Sequence, residues 1–299
     1  MEDSRWPRAA HAFTSLADNE SAAPGSFVIV GIPAHETSIS STSAHRTPEA
    51  VRAALLRYST YSASLGRDIR ELTLQDAGDV VDPDGDAGEA RVMSRMAHLC
   101  DSALVMAIGG DNSLTYSVMR GVFGDHLGEA GLITLDAHHD LRDGVSNGSP
   151  VRRLVEAGLA GTRIVQIGIS DFANSAEYAA RARDMGITVV TRGALRTRPM
   201  ADAMSEALEI AGAGGAGIHV DLDVDVCDRA VVPACPAAAP GGISADELRR
   251  AAFLAGADNR VRSMDLAEID ATIDSLDERT VRLAALCILE AAAGVLSRA

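Results

Sequence analysis

The sequence predicts a single α/β domain, a mostly parallel eight-stranded sheet with helices on both faces. Three observations predict it. Short apolar runs alternate with longer amphipathic ones along the whole chain. At 299 residues with 47% hydrophobic side chains, the chain can bury one large core. No internal repeat or long linker divides it. Strands of a parallel sheet are covered on both faces, so they read as continuous apolar runs. A closed β/α barrel needs the same eight strand–helix pairs and is the competing architecture.

Taken in order, the expected strands are Phe27–Ile32, Leu72–Leu74, Leu104–Ile108, Leu132–Leu135, Ile164–Ile167, Thr188–Val190, Ile218–Val224 and Ser263–Ile269. The expected helices are Thr47–Tyr58, Gly88–Cys100, Ser113–Val122, Val151–Ala157, Ser175–Met185, Met200–Ala211, Ser244–Leu254 and Asp277–Leu296. Ser244 followed by Glu247 makes a capping box that starts the seventh helix. Residues 1–24 read as an extension ahead of the main domain, 25–299. Two long loops of small and polar residues, 36–46 and 227–243, are places where function concentrates.

Composition excludes several chemistries. All 27 basic residues are Arg, so a P-loop lysine, a pyridoxal lysine or a Schiff-base amine cannot operate here. The net charge of −15 repels phosphate backbones and anionic membranes, and aromatics at 3% leave few stacking platforms. We therefore expect no nucleic-acid partner and no membrane partner. Cys100, Cys227, Cys235 and Cys287 show no CxxC spacing and read as free thiols in a reducing compartment. With no apolar leader at the N-terminus, a cytoplasmic location is expected.

Ligands of open α/β sheets bind beyond the carboxyl ends of the strands. There the sequence places Gly109-Gly110-Asp111-Asn112-Ser113, then DAHHD at 136–140, then DLDVDVCD at 221–228, and finally DLAEID at 265–270. Asp136, His138 and Asp140 alternate, so an extended segment turns them to one side, as it does Asp221, Asp223 and Asp225. Converging ionisable groups are costly unless something neutralises them, and a cation does so. Carboxylates with one imidazole suit Mn²⁺ or a similar borderline cation. Two such sets provide enough ligands for a two-metal site that activates water. A solvated polar loop is the alternative for DAHHD alone, and a charged edge strand for the 221–228 run. His139 has the opposite parity and is expected to pack or hydrogen-bond.

These segments, in this order, resemble the ureohydrolases: arginase, agmatinase and formimidoylglutamase. That family shows GGDHS, DAHxD, SxDxDxxDP and a VExNP-like segment, where this chain reads GGDNS, DAHHD, DLDVDVCDR and LAEIDATID. The resemblance spans nearly the whole chain. It implies an arginase-like sheet, a catalytic domain over 25–299, two Mn²⁺ per chain, and a homo-oligomer, trimer or hexamer. By resemblance, Asp136 and Asp223 bridge the metals. Asp140 completes the first, with Asn112 where the family has His and the first site weakened accordingly. His138 and Asp225 complete the second. Asp140 also shuttles a proton, and Glu268 faces the substrate's cationic amidine group.

Arginases and agmatinases carry a catalytic His in an HGxP segment; this chain reads Asn147-Gly148-Ser149-Pro150. Formimidoylglutamases lack that His and tend to carry DAHxDxR, here Asp136 to Arg142. The resemblance is therefore strongest to formimidoylglutamase, which hydrolyses N-formimidoyl-L-glutamate to L-glutamate and formamide. Arg142 is the positional candidate for the substrate carboxylates, with Asn147, Ser149, Asn174 and Ser175 as helpers. A surface ion pair of Arg142 with Asp140 or Asp143 is the competing reading. The alternatives are a guanidino hydrolase that releases urea and a non-catalytic relative with a weakened metal site.

Overall fold

The computed structural model describes residue 3 and residues 5–298. Its strands are β1 (Thr14–Ser15), β2 (Phe27–Ile32), β3 (Tyr61–Ser62), β4 (Arg67–Asp68), β5 (Leu74–Asp79), β6 (Leu104–Gly109), β7 (Ala130–Leu135), β8 (Ile164–Ile169), β9 (Thr188–Thr191), β10 (Gly217–Asp223) and β11 (Val261–Ala267). The helices are α1 (Thr47–Leu55), α2 (Gly85–Leu99), α3 (Leu114–Phe123), α4 (Pro150–Glu156), α5 (Ala176–Asp184), α6 (Met200–Ala211), α7 (Ala245–Ala257) and α8 (Arg279–Leu296).

Nine strands form one open sheet in the order β1-β5-β2-β6-β11-β10-β7-β8-β9, and β3 with β4 forms a separate small hairpin. Every pairing in the large sheet is parallel. The sheet is open, so the barrel alternative falls. The expected strand count of eight becomes nine because Thr14–Ser15 pairs with Gln75–Asp76 at one edge. A two-residue strand has no periodicity to read.

The expected strand Leu72–Leu74 lies instead at Leu74–Asp79. This strand sits near the edge and is only partly covered, so it carries polar residues. Asp76 and Asp79 both pair with Arg52 of α1, at 2.8 and 2.5 Å. Hydrophobicity alone therefore points to the wrong stretch.

Helices cover both faces. On one, α1, α6, α7 and α8 pack over Phe27, Ile29, Met106, Ile133, Val220 and Leu222. On the other, α2 and α3 cover Val28, Val30 and Val105, while α3, α4 and α5 cover Leu132 and Ile164. The Ser244–Glu247 capping box forms as the sequence predicts.

Chain order reverses between β6 and β7, which lie on either side of the β11–β10 pair. A crevice opens at such a switch point beyond the carboxyl ends of the strands. Here those ends carry the four acidic segments.

Candidate active site

The turn after β6 brings Gly110 against β2's exit. A Cβ at Gly110 would stand 1.9 Å from the Ala34 carbonyl oxygen, so the close approach requires glycine. Glu268 leaves β11 with φ 63° and Asp140 ends DAHHD with φ 52°. Side chains rarely adopt this left-handed conformation, which costs about 1–3 kcal/mol at each residue. Tertiary contacts hold it: the Glu268 N–H donates to the Gly110 carbonyl at 2.9 Å, and the Asp140 carboxylate accepts from Asn112 Nδ2 at 2.7 Å.

A cavity of about 270 Å³ opens above these residues. His138, Asp140, Asp223, Asp225 and Glu268 line it, with Arg142, Asn147 and Asn174 around them. Asp136 lies buried in the same cluster, its Oδ1 at 3.5 Å from His138 Nδ1. His138 Nδ1 also meets Asp225 Oδ2 at 2.7 Å. Donor atoms of Asp136, His138 and Asp225 all lie within 4.8 Å of one another, a grouping that could hold a metal ion.

Strand alternation does not deliver these side chains unaided. β10 stops at Asp223, and a 3-10 turn over Val224–Val226 swings Asp225 into the site. Asp223 caps that turn, its Oδ1 accepting from the Asp225 N–H at 2.8 Å. β7 likewise stops at Leu135, before DAHHD begins. His139 points away, as parity predicts, and its Nδ1 meets Gln166 Oε1 at 2.6 Å.

Three expected roles change. Ser149 does not line the cavity; its buried hydroxyl donates to the Ser146 carbonyl at 2.8 Å and accepts from the Ser146 N–H at 2.9 Å. It closes the turn that enters α4. Asn112 turns its amide nitrogen, not its oxygen, toward Asp140, while its oxygen accepts from Thr115 at 2.8 Å. It is oriented to hold Asp140 rather than to ligate a metal. Asn174 reaches the cavity, yet its amide oxygen accepts from His139 N and its nitrogen donates to the Ala137 carbonyl. It braces the DAHHD loop.

Arg142 is exposed at the rim, and among the described residues its guanidinium forms no ion pair. Asp143 pairs with Arg181 at 2.6 Å instead, and Asp140 with Asn112, so the ion-pair reading of Arg142 falls. Gly148 makes room for the Arg142 stem: a Cβ there would stand 2.8 Å from Arg142 Cδ.

Electrostatics follow from crowding. Burial, then the charge of Asp225, pushes Asp136 up to about 7. Burial and neighbouring carboxylates raise Asp140 and Asp223 well above the usual carboxylate range. Burial and then Asp111 push Glu268 up to about 7. Burial opposes charge on His138 as well, but Asp136 and Asp225 prevail and push it up to about 12. Asp225 is buried too, yet the adjacent His138 holds it below its ordinary value. The single charge of His138 is too little to neutralise these carboxylates, and buried Asp136 Oδ2 has no hydrogen-bond partner among the described residues. Carboxylates with one imidazole are the donor set of a hard-to-borderline divalent cation, so the residues fit such an ion.

Beneath the site runs a polar strip that the sequence reading did not single out. His219 lies between Ser263 Oγ at 2.8 Å and Asp265 Oδ2 at 3.0 Å. Asp221, expected on one side with Asp223 and Asp225, faces this strip across from Asp265 in register and does not line the cavity. Burial and then Asp265 raise Asp221 well above the usual range. Asp111 and Asp270 lie in the acidic segments quoted from the sequence, but spacing assigns them no role. They staple the 36–46 loop over the site: Ser38 Oγ donates to Asp111 at 2.6 Å and Ser43 N to Asp270 at 2.7 Å. No sequence spacing links these distant partners.

The arginase family model matches residues 25–294. This chain is a member of the arginase family. A curated formimidoylglutamase from Halalkalibacterium halodurans is 36% identical over 273 residues, covering 88% of this chain and 85% of that one. The crystal structure of formimidoylglutamase from Bacillus subtilis superposes with a TM-score of 0.92 at 29% identity, covering 100% of this chain and 94% of that one. A Trypanosoma cruzi formiminoglutamase structure with Mn²⁺ superposes with a TM-score of 0.87 at 27% identity, covering 98% of this chain and 100% of that one. Within this arginase-family sheet, the central strands β6, β11, β10 and β7 carry the acidic cluster. No helix among the described residues is long and apolar enough to cross a membrane.

Proposed function

We propose that this arginase-family enzyme hydrolyses N-formimidoyl-L-glutamate to L-glutamate and formamide. One observation carries the reading: a cavity that joins an acidic floor fit to hold a cation to an arginine at its rim, which forms no ion pair among the described residues. The substrate has the matching polarity, an amidinium at one end and two carboxylates at the other. Similarity to formimidoylglutamases along most of the chain supports the same assignment.

Asp136, His138, Asp140, Asp223 and Asp225 would hold two Mn²⁺ ions. When bound, such a pair supplies a water-derived nucleophile at neutral pH. Asn112 fixes Asp140 through its amide nitrogen. Glu268 receives two hydrogen bonds on Oε1, from Asn112 N and Asn147 Nδ2, both at 2.8 Å. That leaves Oε2 to pair with the amidinium. Arg142 binds a substrate carboxylate. The amidine carbon gains the water oxygen, the bond to the glutamate nitrogen breaks, and Asp140 delivers a proton to that departing nitrogen. The catalytic domain comprises 25–299, with 1–24 an extension that adds the edge strand β1. The enzyme acts as a homo-oligomer, trimer or hexamer, in the cytoplasm.

A parallel assay tests the reading. The enzyme supplied with Mn²⁺ is offered N-formimidoyl-glutamate, agmatine and arginine. Formamide release from the first is expected to dominate; faster urea release from either of the others would overturn the assignment.

A further inference from the structure

Asn147, in the Asn147-Gly148-Ser149-Pro150 segment, lines the cavity next to Glu268. Both ends of the Asn147 amide are engaged. Nδ2 donates to Glu268 Oε1 at 2.8 Å, and Oδ1 accepts from the Ile39 N–H at 3.0 Å. The Asn147 N–H also donates to the Thr37 carbonyl at 3.3 Å. Ile39 and Ser40 line the same cavity as Arg142 and Asn147, and Ile39 is 55% exposed at its mouth. Glu268 is buried and held in a left-handed conformation at a strand end. Its orientation depends on outside contacts rather than on backbone preference.

We propose that Asn147 is a positioning residue that aims the Glu268 carboxylate at the substrate cation and ties it to the Thr37–Ser40 segment at the cavity mouth. The inference rests on the amidine-binding role assigned to Glu268 above. One amide spans the two partners because it offers a donor and an acceptor at once. A carboxylate keeps only the acceptor, and a methyl keeps neither. Asn147→Asp therefore separates the two bonds. It retains the acceptor for Ile39 and sets a negative charge against Glu268. Asn147→Ala removes both bonds. Asp111 anchors the same segment independently through Ser38 Oγ, so the loop remains attached in each variant.

The test combines steady-state kinetics, bound-manganese analysis and hydrogen exchange at the Ile39 amide. Asn147→Asp is expected to raise KM for N-formimidoyl-glutamate at least tenfold. The kcat should change less than the KM, bound Mn²⁺ should be retained, and Ile39 should exchange at the wild-type rate. Asn147→Ala is expected to raise KM similarly and to speed Ile39 exchange about tenfold, the factor that matches one hydrogen bond. Glu268→Ala, which frees the other end of the clamp, is expected to speed Ile39 exchange even without substrate.

A KM within twofold of wild type for Asn147→Asp would overturn the inference, as would unchanged Ile39 exchange in both alanine variants. Loss of manganese from Asn147→Asp would also overturn it, showing that the residue supports the metals instead. If the wild type fails to turn over N-formimidoyl-glutamate, the substrate reading falls alone. The clamp is then decided by the exchange measurements on Asn147→Ala and Glu268→Ala.

Discussion

Replacing Glu268 by Gln isolates one charge without altering side-chain volume. In the structure, Glu268 is 8% exposed and its Oε1 accepts from two N–H donors at 2.8 Å. A glutamine keeps its oxygen on those donors and so presents its NH₂ to the cavity. A donor then faces the amidinium, itself a donor, where an anion had stood. Leaving one member of a desolvated charge pair without its partner costs about 3–5 kcal/mol. The cavity opens to water on one side, which favours the lower part of that range. At about 1.4 kcal/mol per tenfold, kcat/KM on N-formimidoyl-glutamate should fall by roughly two to three orders of magnitude. Metal content should stay at the wild-type level, because Glu268 is not an assigned ligand. The assay is initial-rate formamide release across substrate concentrations, with manganese measured on the same preparations. A kcat/KM within threefold of wild type would refute the assigned pairing. Parallel loss of manganese would show that Glu268 acts through the metals.

Asp136→Ala or Asp223→Ala should abolish both turnover and Mn²⁺ retention, read by rate and elemental analysis; near wild-type turnover would show the ligand assignment wrong. Arg142→Ala should lower kcat/KM on N-formimidoyl-glutamate by about ten- to a hundredfold, the worth of a hydrogen bond to a charged group. It should leave any residual rate on agmatine, which has no carboxylate, unchanged. Asn112→His should lower the Mn²⁺ concentration giving half-maximal activity, because an imidazole adds a ligand where the Asn112 amide only holds Asp140; a weaker affinity would show that the Asn112–Asp140 hydrogen bond matters more. Melting temperature of the metal-free protein should fall as pH rises from about 5 to 7. Asp136 and Glu268, pushed up to about 7, keep protons in the folded state that the unfolded chain has already released. Mn²⁺ should restore stability most at the upper end of that range, and a metal-free melting temperature that rises instead would contradict the buried-carboxylate account.

The interior strands were legible because complete burial leaves a continuous apolar signal. Phe27–Ile32 was placed at its observed limits, and Leu104–Gly109 extends one residue beyond the run expected. The edge was not legible. Leu74–Asp79 carries acids that satisfy Arg52, and Thr14–Ser15 is too short for any period. The acidic motifs announced a site because a cluster of carboxylates beside apolar strands has no packing rationale.

Local sequence could not fix which of those carboxylates would meet. Asp221, Asp223 and Asp225 look equivalent when alternation is extended through all three. The chain leaves the strand after Asp223, so a turn carries Asp225 into the cavity while Asp221 stays in the sheet against Asp265. The roles of Asn112, Asn147 and Ser149 depend in the same way on where an amide or hydroxyl finds its partner. Asn147 reaches across 121 residues to Glu268 and across 108 to Ile39, whereas Ser149 turns back three residues to Ser146. Composition and periodicity record how each residue meets water or apolar neighbours, and that was enough to set the fold class and expose the acidic centre. Hydrogen-bond direction across distant segments is short-ranged and depends on angle, so only the folded chain decides it.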